Sequence, residues 1–320
     1  MTNTDAGDAG GDADGADSAG GAPSESAWFA PDDEAARVDR IREGAAAEPA
    51  DWPSLAVDAD VADDESDYYA MLREATVAAT RAEVRERERA DDRQLLHAVR
   101  AVDDADRVAN ELAERAAEWA GSLYDESGSG VEFCREVAGR DPDGPTEERV
   151  VSLARRVADL ADESEQLEAF IEARAPEAAP NLAALAGPVL AARLISLAGG
   201  LETLAKKPSG TLQVLGAEDA LFAHLRGHAS SPKHGVIYTH EYVRGTRPED
   251  RGSAARALAG KLTIAARVDY YSGDRKPALD EELDERIRTI RARADAGDDD
   301  TDGASGGTAA GNAAGAGADE

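Results

Sequence analysis

The chain has 320 residues, with 66 acidic against 35 basic side chains, a formal net charge of −31 and one cysteine. A lone cysteine excludes an intrachain disulfide and any multi-cysteine zinc site. No apolar run approaches the roughly 20 residues that a membrane span needs, and the N-terminus lacks a signal-peptide pattern, so a soluble, cytoplasmic protein is expected.

Residues 1–26 hold six acids and no Lys or Arg, and residues 294–320 hold seven acids and again no Lys or Arg. Neither segment carries enough apolar surface to offset the entropy of ordering, so both are expected to be disordered acidic tails. Thirty arginines to five lysines, with abundant acids and alanine, resemble the composition of a protein from an extreme halophile. At molar salt the Debye length is about 3 Å, so only cations in near contact with a phosphate contribute to binding it.

Residues 27–66 read as a small N-terminal domain or docking region. Trp28-Phe29-Ala30 is expected to begin a strand and Asp39–Gly44 to close a short helix, before Pro49, Pro53 and the acidic run Asp58–Asp67 interrupt the pattern. Residues 67–175 read as helical. From Leu95 the apolar positions recur at spacings of three and four: Leu95, Ala98, Val102, Ala105, Ala109, Leu112, Ala116, Trp119 and Leu123. After a Gly/Pro-rich break at 128–145, a second series follows as Val150, Leu153, Val157, Leu160, Ser164, Leu167 and Ile171. This is the seam of a coiled coil. Two helices of about 30 residues, each about 45 Å long, are expected to form an antiparallel hairpin. The alanine-rich first seam buries little area, which makes dimerisation through the hairpin the expected source of further burial.

Residues 176–293 read as an α-rich C-terminal domain. Asn181–Leu197 has the low charge of a buried helix, kinked at Pro188. Short helices at 201–206 and 216–227, a β-like run Val236-Ile237-Tyr238, and helices at 252–271 and 279–293 complete it. All five lysines lie between Lys206 and Lys276, and four of the five histidines lie between His224 and His240. Over residues 181–273 there are eleven Lys/Arg against seven Asp/Glu, so this region is locally positive within a strongly acidic chain. Such an island is where a polyanion site is expected.

The block NLAALAGPVLAARLISLAGGLETLAKKPSGTLQVLGAEDALFAHLR, continued by SPKHGVIYTH and RALAGKLTIAARVDYYSG, resembles the Nop family closely. The upstream YYAMLREATVAATRAEV and LLHAVRAVDDADRVANELAERAAEW are similar to the helical region of its archaeal members. The resemblance covers residues 68–273 and reaches 27–66 only faintly. It implies a scaffold subunit of box C/D ribonucleoproteins, which 2′-O-methylate RNA. On that implication an N-terminal domain docks the methyltransferase fibrillarin, a coiled coil self-associates, and the C-terminal Nop domain grips guide RNA with a kink-turn-binding protein of the ribosomal-protein type. The family commonly has Gly-Ala-Glu-Lys where this chain has Gly216, Ala217, Glu218 and Asp219, and Arg where it has Ala223. Either the contact of that helix start with RNA is steric and backbone-borne, or the affinity is lower.

Within this frame Lys206, Lys207, Arg226 and Lys233 are candidate phosphate ligands, and Ser209, Thr211 and Gln213 add neutral hydrogen-bonding groups. Gly216 is expected to expose backbone N–H donors at a helix start. His234 and Tyr238 offer rings that stack on a splayed base. Arg256, Lys261 and Arg267 are spread along the next helix. Each has an ordinary alternative. Lys206 and Lys207 end a helix, where cations complement the helix dipole. Tyr238 between Ile237 and Thr239 also suits a core. The i,i+4 pair His224 and His228 lacks the Cys or carboxylate partners of a metal site, so no metal, cofactor or catalytic residue is assigned. An enzyme reading lacks a nucleophile elbow, a phosphate-binding loop and a G-x-G-x-x-G after a strand. The competing reading is a coiled-coil oligomeriser without an RNA ligand, which leaves the Lys/His clustering unexplained.

Overall fold

The computed structural model describes residues 27–31, 33–44 and 50–299, with side chains through 292. The expected N-terminal tail and residues 300–320 lie outside the described residues. Among those described there are helices and turns and no strand, as a mainly α chain requires. The chain divides between Glu88 and Arg89 into two compact units.

The first unit holds α1 (Glu34–Glu43), α2 (Trp52–Asp58) and α3 (Glu65–Glu88). Both short helices start on an aspartate: Asp33 accepts the Ala36 N–H at 3.1 Å, and Asp51 accepts the Ser54 hydroxyl at 2.8 Å. The expected strand at Trp28-Phe29-Ala30 is a turn instead, closed by a bond from the Ala30 N–H to the Ala27 carbonyl. The turn aims Phe29 inward, where its ring centroid lies 6.3 Å from Trp52 and 6.2 Å from Tyr68, both edge-on. These aromatics, with Ala56 and Ala62, build a small core on one face of α3. Arg42 of α1 reaches Glu83 and Glu86 of α3 and fastens the two helices at their far ends.

In the second unit α4 (Asp91–Gly121) and α6 (Pro145–Ala178) run antiparallel. Arg174 near the end of α6 pairs with Asp91 at the start of α4 at 2.6 Å, and Ser164 donates to Asp106 midway at 2.5 Å. Every seventh residue of α6 is buried, in the row Val150, Val157, Ser164 and Ile171, while Leu153, Leu160 and Leu167 are half-buried. On α4 the inward row differs from the expected one. Leu95, Ala98, Val102, Ala109 and Ala116 are buried, but Leu112 and Ala105 are half-buried and Trp119 and Leu123 are exposed. Ala113 and Ala120 take the inward places. At 3.6 residues per turn a straight helix drifts off a strict heptad, and alanines keep the row thin enough for a close neighbour.

That neighbour is α5 (Gly130–Ala138), which lies in the expected Gly/Pro break. Its Phe133, Cys134 and Val137 fill the space between Ala113, Ala116 and Ala120 of α4 and Val150, Ala154 and Val157 of α6. The burial expected from a second copy is thus supplied at this end by a third helix of the same chain. Cys134 is buried and its pKa is raised by that burial, which makes it an inert thiol.

The base of the hairpin shares one core with the C-terminal helices α7 (Pro180–Ala186), α8 (Pro188–Ala198), α9 (Leu201–Lys206), α10 (Ser209–Gln213), α12 (Glu241–Arg244), α13 (Arg251–Tyr271) and α14 (Ala278–Asp299), while α11 (Glu218–Leu225) buries no residue. The expected single helix kinked at Pro188 is two helices meeting at 116°. Gly187, with φ of 81°, turns the chain where Pro188 has no N–H to continue the ladder. This pair is apolar because it is core, and no single helix among the described residues is long and apolar enough to cross a membrane. The expected β-like run Val236–Tyr238 is a short 3-10 turn, Val236–Thr239, with Ile237 fully buried. The last helix continues to Asp299, past the expected end at 293.

α13 is the axis of this domain, with α7, α9, α10, α12 and α14 packed around it. Buried Asp269 accepts the backbone N–H groups of Asn181 at 3.0 Å and Leu182 at 2.8 Å, so the end of α13 caps the start of α7. Asn181 donates to Asp269 and to the Asp274 carbonyl, and accepts from the Lys276 N–H.

Candidate nucleic-acid interface

The stretch from Lys206 to Tyr238 meets α13 at its two ends, through α9 and α10 and through the 3-10 turn at Val236–Thr239. α9 ends at Lys206, Pro208 stops it, and α10 packs on α13. The chain then leaves through Gln213–Leu215, forms α11 and a loop, and returns through Lys233–Val236. Outgoing and returning segments are clipped together by bonds from the Gly235 N–H to the Gln213 carbonyl and from the Val236 N–H to the Leu215 carbonyl, both 2.8 Å. The Gln213 amide donates to the Lys233 carbonyl at 2.7 Å, so this side chain holds the loop rather than facing solvent. Gly235 is required by closeness, since a Cβ there would sit 2.0 Å from the Leu215 carbonyl oxygen.

At the returning end, the rings of His234 and Tyr238 stack at 4.6 Å with 21° between their planes. They stack on each other, and Tyr238 also packs on the core, as its core reading expected. The Arg251 guanidinium lies 5.5 Å above the Tyr238 ring and donates to the Thr246 carbonyl at 3.1 Å. Burial, then Arg251, then Lys233 push the His234 pKa down, leaving a neutral ring near neutral pH. The Lys233 stem lies beside Gly252 at the start of α13. Arg251 was not among the expected site residues. Its only signal was a position at the start of the arginine-bearing helix, and its ring partner is distant in sequence.

The cations divide by engagement. Lys206 pairs with Glu202 at 2.6 Å, which raises its pKa. Lys261 is half-buried and pairs with Glu282 of α14, so it joins two helices rather than facing a ligand. Arg267 donates through Nε to the Ala205 carbonyl at 3.0 Å. Lys207, Arg226, Lys233 and Arg256 make no ion pair among the described residues. Ser209 and Thr211 are exposed on α10. Arg251 and Arg267 lie sixteen residues apart on α13, roughly 24 Å along its axis and on nearly opposite sides of the helix.

At the start of α11 the expectation of open backbone donors needs correction. Glu218 turns back and accepts the Gly216 N–H at 3.0 Å, so that donor is already satisfied by a carboxylate. Ala217 is half-buried at the N-cap. His224 donates from Nδ1 to the Ala229 carbonyl at 3.0 Å and shapes the loop. Among the described residues no group of three or more His, Cys, Asp or Glu has metal-binding geometry.

Comparison with known proteins places these residues in a wider set. The family model described as "Nop: snoRNA binding domain, fibrillarin" matches residues 69–291. An uncharacterised NOP5 family protein of Methanocaldococcus jannaschii is 49% identical over 144 residues, 45% of this chain and 35% of that one. Nucleolar protein 56 of Saccharomyces cerevisiae is 39% identical over 142 residues, 44% of this chain and 28% of that one. The matches thus span about a third of the curated relatives' length. A crystal structure of a fibrillarin/Nop5p complex contains a chain that aligns at a TM-score of 0.48 and 26% identity, over 80% of this chain and 92% of that chain.

Proposed function

The chain belongs to the Nop family, and from that premise we propose that it is a non-catalytic scaffold of a box C/D-type ribonucleoprotein. Its C-terminal domain grips guide RNA together with a kink-turn-binding protein, its N-terminal region docks a fibrillarin-type methyltransferase, and the hairpin spaces the two while a second copy associates with it. The observation that carries the reading is the set of cations without acidic partners around α13 in a chain of charge −31: Lys233 beside the neutral His234–Tyr238 stack, Arg256 on α13 itself, and Lys207 at the end of α9. Phosphates are held by the cations and bases by rings and short hydrogen bonds, a combination that survives salt better than charge alone.

The test is fluorescence anisotropy of a labelled box C/D guide RNA titrated with the full chain and with the Lys207→Glu/Lys233→Glu/Arg256→Glu variant. Three lost phosphate contacts weaken binding by about 30-fold or more and flatten the salt slope by roughly two to three units. Equal affinity and slope would remove these residues from the interface.

A further inference from the structure

A second cluster lies at the other end of α13 from the His234–Tyr238 stack. Tyr270 and Tyr271, the last two residues of that helix, are 40% and 69% exposed. Their rings meet edge to face at 4.8 Å with 71° between planes. In a chain with seven tyrosines and 4% aromatic residues, an adjacent exposed pair on a well-packed helix is a conspicuous use of ring surface. Nothing in the fold needs it there. The neighbouring Asp269 points inward to cap α7, while the two rings turn away from the core.

The surroundings are cationic. Arg267 precedes Tyr270 and Tyr271 by three and four residues, the spacing that places side chains on one helix face. It holds the Ala205 carbonyl through Nε, which leaves its two terminal nitrogens unengaged among the described residues. The same contact brings the end of α9, with Lys206 and Lys207, against this part of α13. Lys206 lies near enough to both phenols to feel them, after Glu202. Lys206 pairs with Glu202, whereas Lys207 and Arg267 make no ion pair among the described residues. Exposed rings flanked by cations match a nucleic-acid strand, whose bases have π faces and whose phosphates recur beside them. A protein groove would call for aliphatic neighbours, and only Ile264, 42% exposed, supplies one on that face.

We propose that Tyr270 and Tyr271 form a stacking platform for an unpaired nucleotide of single-stranded RNA, with Lys207 and Arg267 on its flanking phosphates. The platform sits about 29 Å along α13 from Arg251, which lies over the Tyr238 ring, so it engages a different part of the RNA. The proposal rests on the RNA-binding reading given above.

The experiment measures binding of the full chain to a single-stranded oligouridylate and to a fully paired, blunt-ended RNA duplex at two salt concentrations. Stacking on one base predicts that Tyr270→Ala/Tyr271→Ala weakens oligouridylate binding about tenfold at both salts, with the salt slope unchanged. Duplex binding stays within about twofold, and Tyr270→Phe/Tyr271→Phe retains the parent affinity because its rings still stack. Equal binding of oligouridylate by the alanine variant and the parent would overturn the platform. So would equal losses in the alanine and phenylalanine variants, which would assign the effect to the hydroxyls. A parent chain that binds neither RNA would instead sink the RNA-binding reading beneath it.

Discussion

His240 shows how one side chain fixes a local structure and its pH dependence. Its Nδ1 accepts the Tyr242 N–H at 3.1 Å, and its Nε2–H donates to the Leu185 carbonyl at 3.0 Å. Only the neutral ring does both. Burial pushes its pKa below the usual value. The unfolded chain therefore takes up the proton at a higher pH than the folded one, so stability is complete above about pH 6.5 and is lost as the pH falls toward the folded value. His234, lowered in the same way, acts with the same sign. His240→Asn keeps an acceptor for the α12 cap without the titration, so its thermal melts should flatten with pH relative to the parent. Parallel pH profiles would contradict this role. Gly235 is a second such residue. Gly235→Ala forces apart the segments at Gln213–Leu215 and Lys233–Val236, and calorimetry should register a loss of about 1–3 kcal/mol. An unchanged melting temperature would show that the clip is looser than its 2.8 Å bonds indicate. The cations of the site were visible in the sequence as residue types. Which of them are consumed by Glu202, Glu282 and the Ala205 carbonyl was not, because those partners are set by packing.

At the scale of elements, the hairpin was legible because its signal is local. The row Val150, Val157, Ser164, Ile171 is a strict heptad, and all four are buried. Val157→Asp places an unpaired carboxylate in the core shared with α5 and should cost about 3 kcal/mol or more in chemical denaturation. Trp119→Ala should cost less than about 1 kcal/mol, since that side chain is outside the core. The opposite ranking would restore the seam read from α4 alone. That seam misled because α5 was hidden in a Gly-rich stretch: nine residues of helix give too few turns for periodicity to stand out. Gly128 and Gly130 bracket its start, and only the pocket between Ala113 and Val150 reveals what Phe133 packs against. The same limit explains Val236–Tyr238. Three β-branched or aromatic residues read as strand, but the clip to Leu215 and the burial of Ile237 bend them into a 3-10 turn.

Within the second unit the hairpin base and the C-terminal helices share one core, so α13, on which the proposed interface is built, is continuous with α4 and α6. A scaffold that spaces two partners needs that continuity, because slack at the join would blur the distance between them. The mainly α class was readable from periodicity and resemblance. The division at Glu88 was not, because α3 reads as the start of the long helical region while its buried face carries the aromatic core of Phe29, Trp52 and Tyr68. The central claim is that the chain organises a methylation complex without performing the chemistry. Its most direct test is reconstitution at molar KCl of this chain with a box C/D guide RNA, a kink-turn-binding protein and a fibrillarin-type methyltransferase, omitting each in turn and scoring guided methyl transfer. The account predicts transfer that needs this chain and vanishes without the methyltransferase. Transfer in the absence of the methyltransferase, or full activity without this chain, would contradict it.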